Sequence, residues 1–136
     1  MPSQLSQIHW GRVVLTALIV HIVSFFVVMS VISGFATYLG LQDYDFPDQD
    51  IVNLFAEQYS PIMGQVSLVL FTFLGARNTA ANVEKAPLDN GLAVGILVGV
   101  VYLIFRGGAP INFGVLVSTA LIVAMGWLGA KLVSKK

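Results

Sequence analysis

Hydrophobic positions along this chain come in long unbroken runs rather than in alternation. Four runs stand out: Val13 to Leu41, Pro61 to Ala76, Leu88 to Phe105 and Ile111 to Val133. A helix needs about 20 mostly apolar residues to cross roughly 30 Å of hydrocarbon. The runs therefore predict an all-α fold, an integral membrane bundle of four transmembrane helices in a single domain over residues 1-136. Membrane barrel strands alternate apolar and polar side chains over about ten residues, and these runs do not.

Local signals divide the chain in the same way. Ser60-Pro61 reads as an N-cap followed by proline at the first helical position, where its missing N–H costs nothing. Asp89 or Asn90 is placed to cap the third helix, and Gly107-Gly108-Ala109-Pro110 to end it. The segment 42-60 differs from its flanks. It opens with an acidic turn carrying Asp43, Asp45, Asp48 and Asp50; then Ile51, Leu54, Phe55 and Tyr59 recur at helical spacing among Asn53, Glu57 and Gln58. This pattern predicts a short amphipathic helix over 49-59, lying at the membrane interface before the second span. The rival is one long helix from Asp50 to Ala76, kinked at Pro61. The apolar run after Arg12 is too long for a signal-peptide core, and no small-x-small cleavage site follows it, so it reads as a retained first helix.

Composition agrees. Only 10% of the 136 residues are charged and 57% are hydrophobic, against about 25% charged in soluble domains. A mean hydropathy of +0.84 excludes a disordered chain and leaves too few charges to cover a soluble core. There is no Cys, hence no disulfide, thiolate site or catalytic thiol. Zero net charge provides no basic field for nucleic acid.

The few charges are sorted along the chain. Arg12, Arg77, Lys85, Lys131, Lys135 and Lys136 fall on one side of an alternating four-helix arrangement; Arg106 alone falls on the other, with Asp43, Asp45, Asp48, Asp50 and Glu57. The positive-inside rule predicts a multi-pass protein of the inner cell membrane, both termini cytoplasmic and the acidic 42-60 segment outside. Trp10 and Trp127 fall at the cytoplasmic interface, as an aromatic belt does.

Membrane helices associate through close backbone approach at small residues. The third helix carries Gly91, Gly95 and Gly99, with Tyr102 extending the stripe. The fourth carries Gly126 with Ala130, and Ala120 with Ala124; the first has Ser30, Ser33, Gly34 and Thr37; the second has Gly64, Ser67 and Gly75. These stripes serve either packing within the bundle or, for the third helix, contact with another subunit.

His21 is the one ionisable residue deep within a span, roughly 13 Å along the helix from Arg12 at about 1.5 Å per residue. Such a residue is a functional candidate by default. Ser24 shares its face, and Gln65 and Thr72 share a face of the second helix, so these four form a candidate intramembrane polar site, with Thr72 the better depth match for His21. Three roles are open for His21: a structural hydrogen bond to a hydroxyl or carbonyl, axial contact with a pigment or haem, and a place in a proton or ion relay. No acidic residue lies in any span, which weakens the relay. No cofactor and no metal are expected. The acidic run does not fit a calcium loop, which needs Gly at position six and Glu at twelve; counting from Asp43 gives Asp48 and Leu54 there, and from Asp48 gives Asn53 and Tyr59. Asp43, Asp45, Asp48 and Asp50 are then a solvated loop or a partner-docking surface. His9 and His21 are too far apart to form a helical ligand pair, and no nucleophile triad, phosphate loop or catalytic carboxylate pair is present.

Small multidrug exporters have a similar length but need a Glu in the first helix, where this chain has His21; the Asn and Phe- and Thr-rich signature of small fluoride channels is absent. The segments Gly75-Ala76-Arg77, Asn90-Gly91-Leu92-Ala93-Val94-Gly95, Tyr102 and Gly126-Trp127-Leu128-Gly129-Ala130 resemble a pattern in uncharacterised small bacterial four-helix integral membrane proteins. The resemblance covers the second half of the chain and implies no activity. The expectation is a non-enzymatic accessory or structural subunit, whose partners are the lipid bilayer and either another membrane protein or a second copy of itself. The alternative is a small oligomeric channel or transporter with a polar path including His21.

Overall fold

The computed structural model describes residues 7–43, 49–105 and 111–134. These form four helices and, among the described residues, no strand: α1 (Trp10–Asp43), α2 (Gln49–Ala81), α3 (Pro87–Phe105) and α4 (Phe113–Val133). All four are long and apolar enough to cross a membrane. α2 is the central element and touches the other three; α3 packs on α1 and α4. The large apolar residues that remain exposed, from Leu15 and Leu18 to Leu121 and Leu132, lie along the outside of every helix, where lipid solvates them as well as a protein core does.

The interior consists of small and β-branched residues. Val13, Ala17 and Val20 of α1 meet Leu68 and Ala76 of α2, Ala93, Val94 and Val98 of α3, and Ile122 of α4. The buried positions of α4 (Val115, Ser118, Ile122, Gly126 and then Gly129 with Ala130) follow one another at three or four residues, as one helix face must. Asn112 caps α4, its side chain accepting from the Val115 N–H at 3.0 Å.

The separate interfacial helix over 49-59 is not present. Residues 49 to 81 form one helix with Pro61 inside it, and Ser60 is helical rather than a cap. The physical reason is twofold. An internal proline removes one backbone hydrogen bond, and neither it nor Gly64 three residues later ends the helix. One apolar side chain of 51-59 also has a partner on α1: Phe55 stacks on Phe35, ring centroids 4.0 Å apart, with Tyr59 tilted beside it at 4.9 Å. Of the residues read as an amphipathic stripe, Phe55 packs on an extended α1, while Ile51, Leu54 and Tyr59 stay exposed.

This pairing makes the bundle uneven. The Gln65 amide donates to the Tyr102 hydroxyl at 3.2 Å. Beyond that level α3 has three residues left, whereas α2 continues for 16 to Gln49. At about 1.5 Å per residue α2 outruns the helical part of α3 by roughly 20 Å, and α1 accompanies it. The base is the opposite end, where Arg12, Arg77, Lys85 and Lys131 gather; Asp50 and Glu57 lie on the arm.

Candidate functional site

The buried face of α1 runs Val13, Ala17, Val20, Ser24 and stops there; no later described residue of α1 is buried. His21 stands beside this face. Its Nδ1 lies 2.8 Å from the Ala17 carbonyl oxygen. A carbonyl only accepts, so Nδ1 carries the proton and Nε2 of the neutral ring presents a lone pair. That Nε2 has essentially no accessible surface and no hydrogen-bond partner, and the same is true of Ser24 Oγ one turn further on. Each unmet buried polar atom costs about 1–3 kcal/mol.

Gln65 and Thr72 do not complete this site. Gln65 is engaged by Tyr102. Thr72, fully buried, donates from Oγ1 to its own helix at the Leu68 carbonyl, 2.6 Å away, the usual escape for a hydroxyl in a helix. No hydrogen bond joins His21 to either. The neighbour of the imidazole is instead the Phe105 ring, centroids 6.3 Å apart and tilted by 44°. His21, Phe25, Phe26, Leu68, Tyr102 and Phe105 line a groove of about 480 Å³ between α1, α2 and the end of α3. Among the described residues no Asp, Glu, Lys or Arg is buried. No group of three His, Asp or Glu side chains comes together among them either.

The glycines of α3 lie against α4. A Cβ added at Gly95 would sit 3.0 Å from the Val123 carbonyl oxygen and 3.2 Å from Gly126 Cα; one at Gly91 would overlap Ala130 Cβ; one at Gly99 would meet the Thr119 methyl at 3.2 Å and Val123 Cγ2 at 3.7 Å. On α1, by contrast, a Cβ at Gly34 meets nothing within 4 Å, and Ser30, Ser33 and Thr37 beside it are exposed. Of the acidic residues, Asp43 closes α1 and Asp50 stands exposed in the first turn of α2. Asp45 and Asp48 lie outside the described residues.

Comparison with protein families, curated proteins and solved structures found no match.

Two polar features at the base were not anticipated. Asn90 does not cap α3, and neither does Asp89, because the helix already begins at Pro87. Asn90 is instead completely buried in its first turns. Its Oδ1 accepts the His9 N–H at 2.8 Å, and its Nδ2 donates to the Ala86 carbonyl at 2.9 Å and, at 3.4 Å, to those of Gln7 and Lys85. One side chain thus ties the start of α1 to the α2–α3 turn, where Ala86 holds a φ of 49° directly before Pro87. The second is a hydroxyl pair, Thr16 and Thr79, with oxygens 2.8 Å apart between α1 and α2. A polar residue next to a predicted helix start was the only signal for Asn90. The threonines carried none, since their pairing depends on the α1–α2 register.

Proposed function

We propose that this is a non-enzymatic integral membrane protein that acts as an accessory or structural subunit, joined to a membrane assembly or to further copies of itself through the arm formed by α1 and α2. One observation carries the reading. The arm leaves the small-residue stripe Ser30, Ser33, Gly34 and Thr37 open, while the glycines of α3 already face α4. Small residues on an uncovered membrane helix allow the close backbone approach that lipid-exposed helices use to associate. The internal seam supports assigning Gly91, Gly95, Gly99, Gly126 and Ala130 to packing of α3 on α4. The positive-inside rule then sets the base with Arg12, Arg77, Lys85 and Lys131 toward the cytoplasm and the arm, with its acidic turn, outside.

The experiment is purification of the full chain in mild detergent with identification of its companions, alongside Gly34→Leu. The expected result is an assembly that Gly34→Leu dissociates while helicity is kept. A wild-type protein that stays a lone monomer, or an assembly indifferent to Gly34→Leu, overturns the reading. The glycine seam is tested separately by Gly95→Leu, which should unfold or loosen the bundle rather than release a partner.

A further inference from the structure

We propose that the groove at His21 binds a membrane-soluble hydroquinone, with the phenolic hydroxyl donating to His21 Nε2 and the ring lying among Phe25, Phe26 and Phe105. With Nδ1–H held by the Ala17 carbonyl at 2.8 Å, Nε2 of the neutral imidazole is an acceptor, and it has no donor among the described residues. The site therefore selects a ligand with an O–H. It disfavours one offering only carbonyl or carboxylate oxygens, since two lone pairs would oppose each other.

The walls specify the rest of the ligand. Aromatic rings line most of the groove, and its volume of about 480 Å³ falls among small-molecule sites, which run roughly 300–1,000 Å³. Flat rings pack well beside tilted or edge-on aromatic side chains. Ile22, Phe25 and Phe26 are all exposed at its mouth, so the entrance faces lipid and the ligand arrives through the bilayer. A metal ion is a poor fit, because among the described residues no group of three or more His, Asp or Glu side chains comes together. Phe105 gives access to the acceptor. It is the last residue of α3, 78% exposed, and its ring stands beside the imidazole. Nε2 has no accessible surface as the chain stands, so a side chain beside it must shift for a donor to reach it, and the exposed Phe105 ring is the one assigned to that movement.

The test uses the full chain in lipid nanodiscs under anaerobic conditions, with a decyl-tailed benzohydroquinone as the probe and equilibrium dialysis as the readout. The wild-type protein should retain the hydroquinone at least about tenfold better than its oxidised quinone or its dimethyl ether, neither of which can donate. His21→Phe, which keeps an aromatic ring and removes the acceptor, should abolish that preference. The comparison of probes on the wild-type protein needs no variant, so misfolding cannot produce the result. Equal retention of all three probes, an unchanged preference in a folded His21→Phe protein, equally good competition by a sterol, or a haem-type absorbance in the purified protein would each overturn the proposal.

Discussion

Replacing Gly126 by Ala adds one methyl group against the backbone of α3 in the seam between α3 and α4. The new Cβ would lie 2.7 Å from Gly95 Cα and 2.8 Å from both Gly95 N and the Gly91 carbonyl oxygen. Ordinary contact begins near 3.4 Å, so the overlap is about 0.6–0.7 Å on three atoms at once. All three are backbone atoms of a helix and none can rotate away. The helices must separate along the seam, which loosens neighbours such as Val94, Val98 and Ile122 that are now fully buried. Overpacking of this kind costs about 1–3 kcal/mol, reduced by the better helix propensity of Ala, up to about 1 kcal/mol. The net expectation is a loss of roughly 1–2 kcal/mol. Gly99→Ala is the internal control. Its Cβ meets the Thr119 methyl at 3.2 Å and Val123 Cγ2 at 3.7 Å, with no backbone atom nearer than 4.0 Å, so it should cost less than Gly126→Ala. The assay is SDS-induced unfolding in mixed micelles followed by far-UV circular dichroism. A Gly126→Ala protein as stable as wild type, or a Gly99→Ala protein that is the weaker of the two, would refute the reasoning.

Three other outcomes follow from features away from this seam. Asn90→Ala leaves the His9 N–H without its acceptor and should destabilise the fold by roughly 2–3 kcal/mol, read as a shifted unfolding midpoint with new hydrogen exchange at residues 7–13. Ala86→Gly relieves a left-handed backbone conformation that costs a non-glycine residue about 1–2 kcal/mol and should raise the same midpoint, whereas Ala86→Val should lower it. Phe55→Ala removes the stack on Phe35, worth about 0.5–1.5 kcal/mol beyond its buried area, so residues 49–60 should exchange faster while the base keeps its protection.

The sequence showed the helices far better than their register. Continuous apolar runs bounded by charges and turns require little beyond the thickness of a bilayer, and the spans were legible to within a few residues. The exception was α2, where Pro61 and the pattern Ile51, Leu54, Phe55 and Tyr59 favoured a break. What outweighed them was Phe35, 20 residues away on another helix, and no local rule contains that contact. The polar residues divide in the same way. The bond from His21 to Ala17 is local, and a histidine within a span announced it. The partners of Gln65 and Asn90 are set by how helices slide past one another, so Tyr102 and the backbone of residues 7–9 could not be assigned in advance. Thr72, read as a possible partner for His21, had a nearer solution in the carbonyl four residues before it.

The Asn90 clip also fixes an order of events during synthesis. Its partner at His9 lies 81 residues earlier in the chain. At about 5–20 residues per second, residue 90 is made some 4–16 s after residue 9. For most of that interval α2 is unfinished; once it is made, Thr16–Thr79 and Phe35–Phe55 can join it to α1 while α3 is still to come. Insertion therefore proceeds as a hairpin first, held loosely, with closure of the base delayed until α3 arrives. A chain stalled before residue 90 should hold two inserted helices whose N-terminal segment remains open to proteases, which makes the unfinished protein the form most in need of a chaperone.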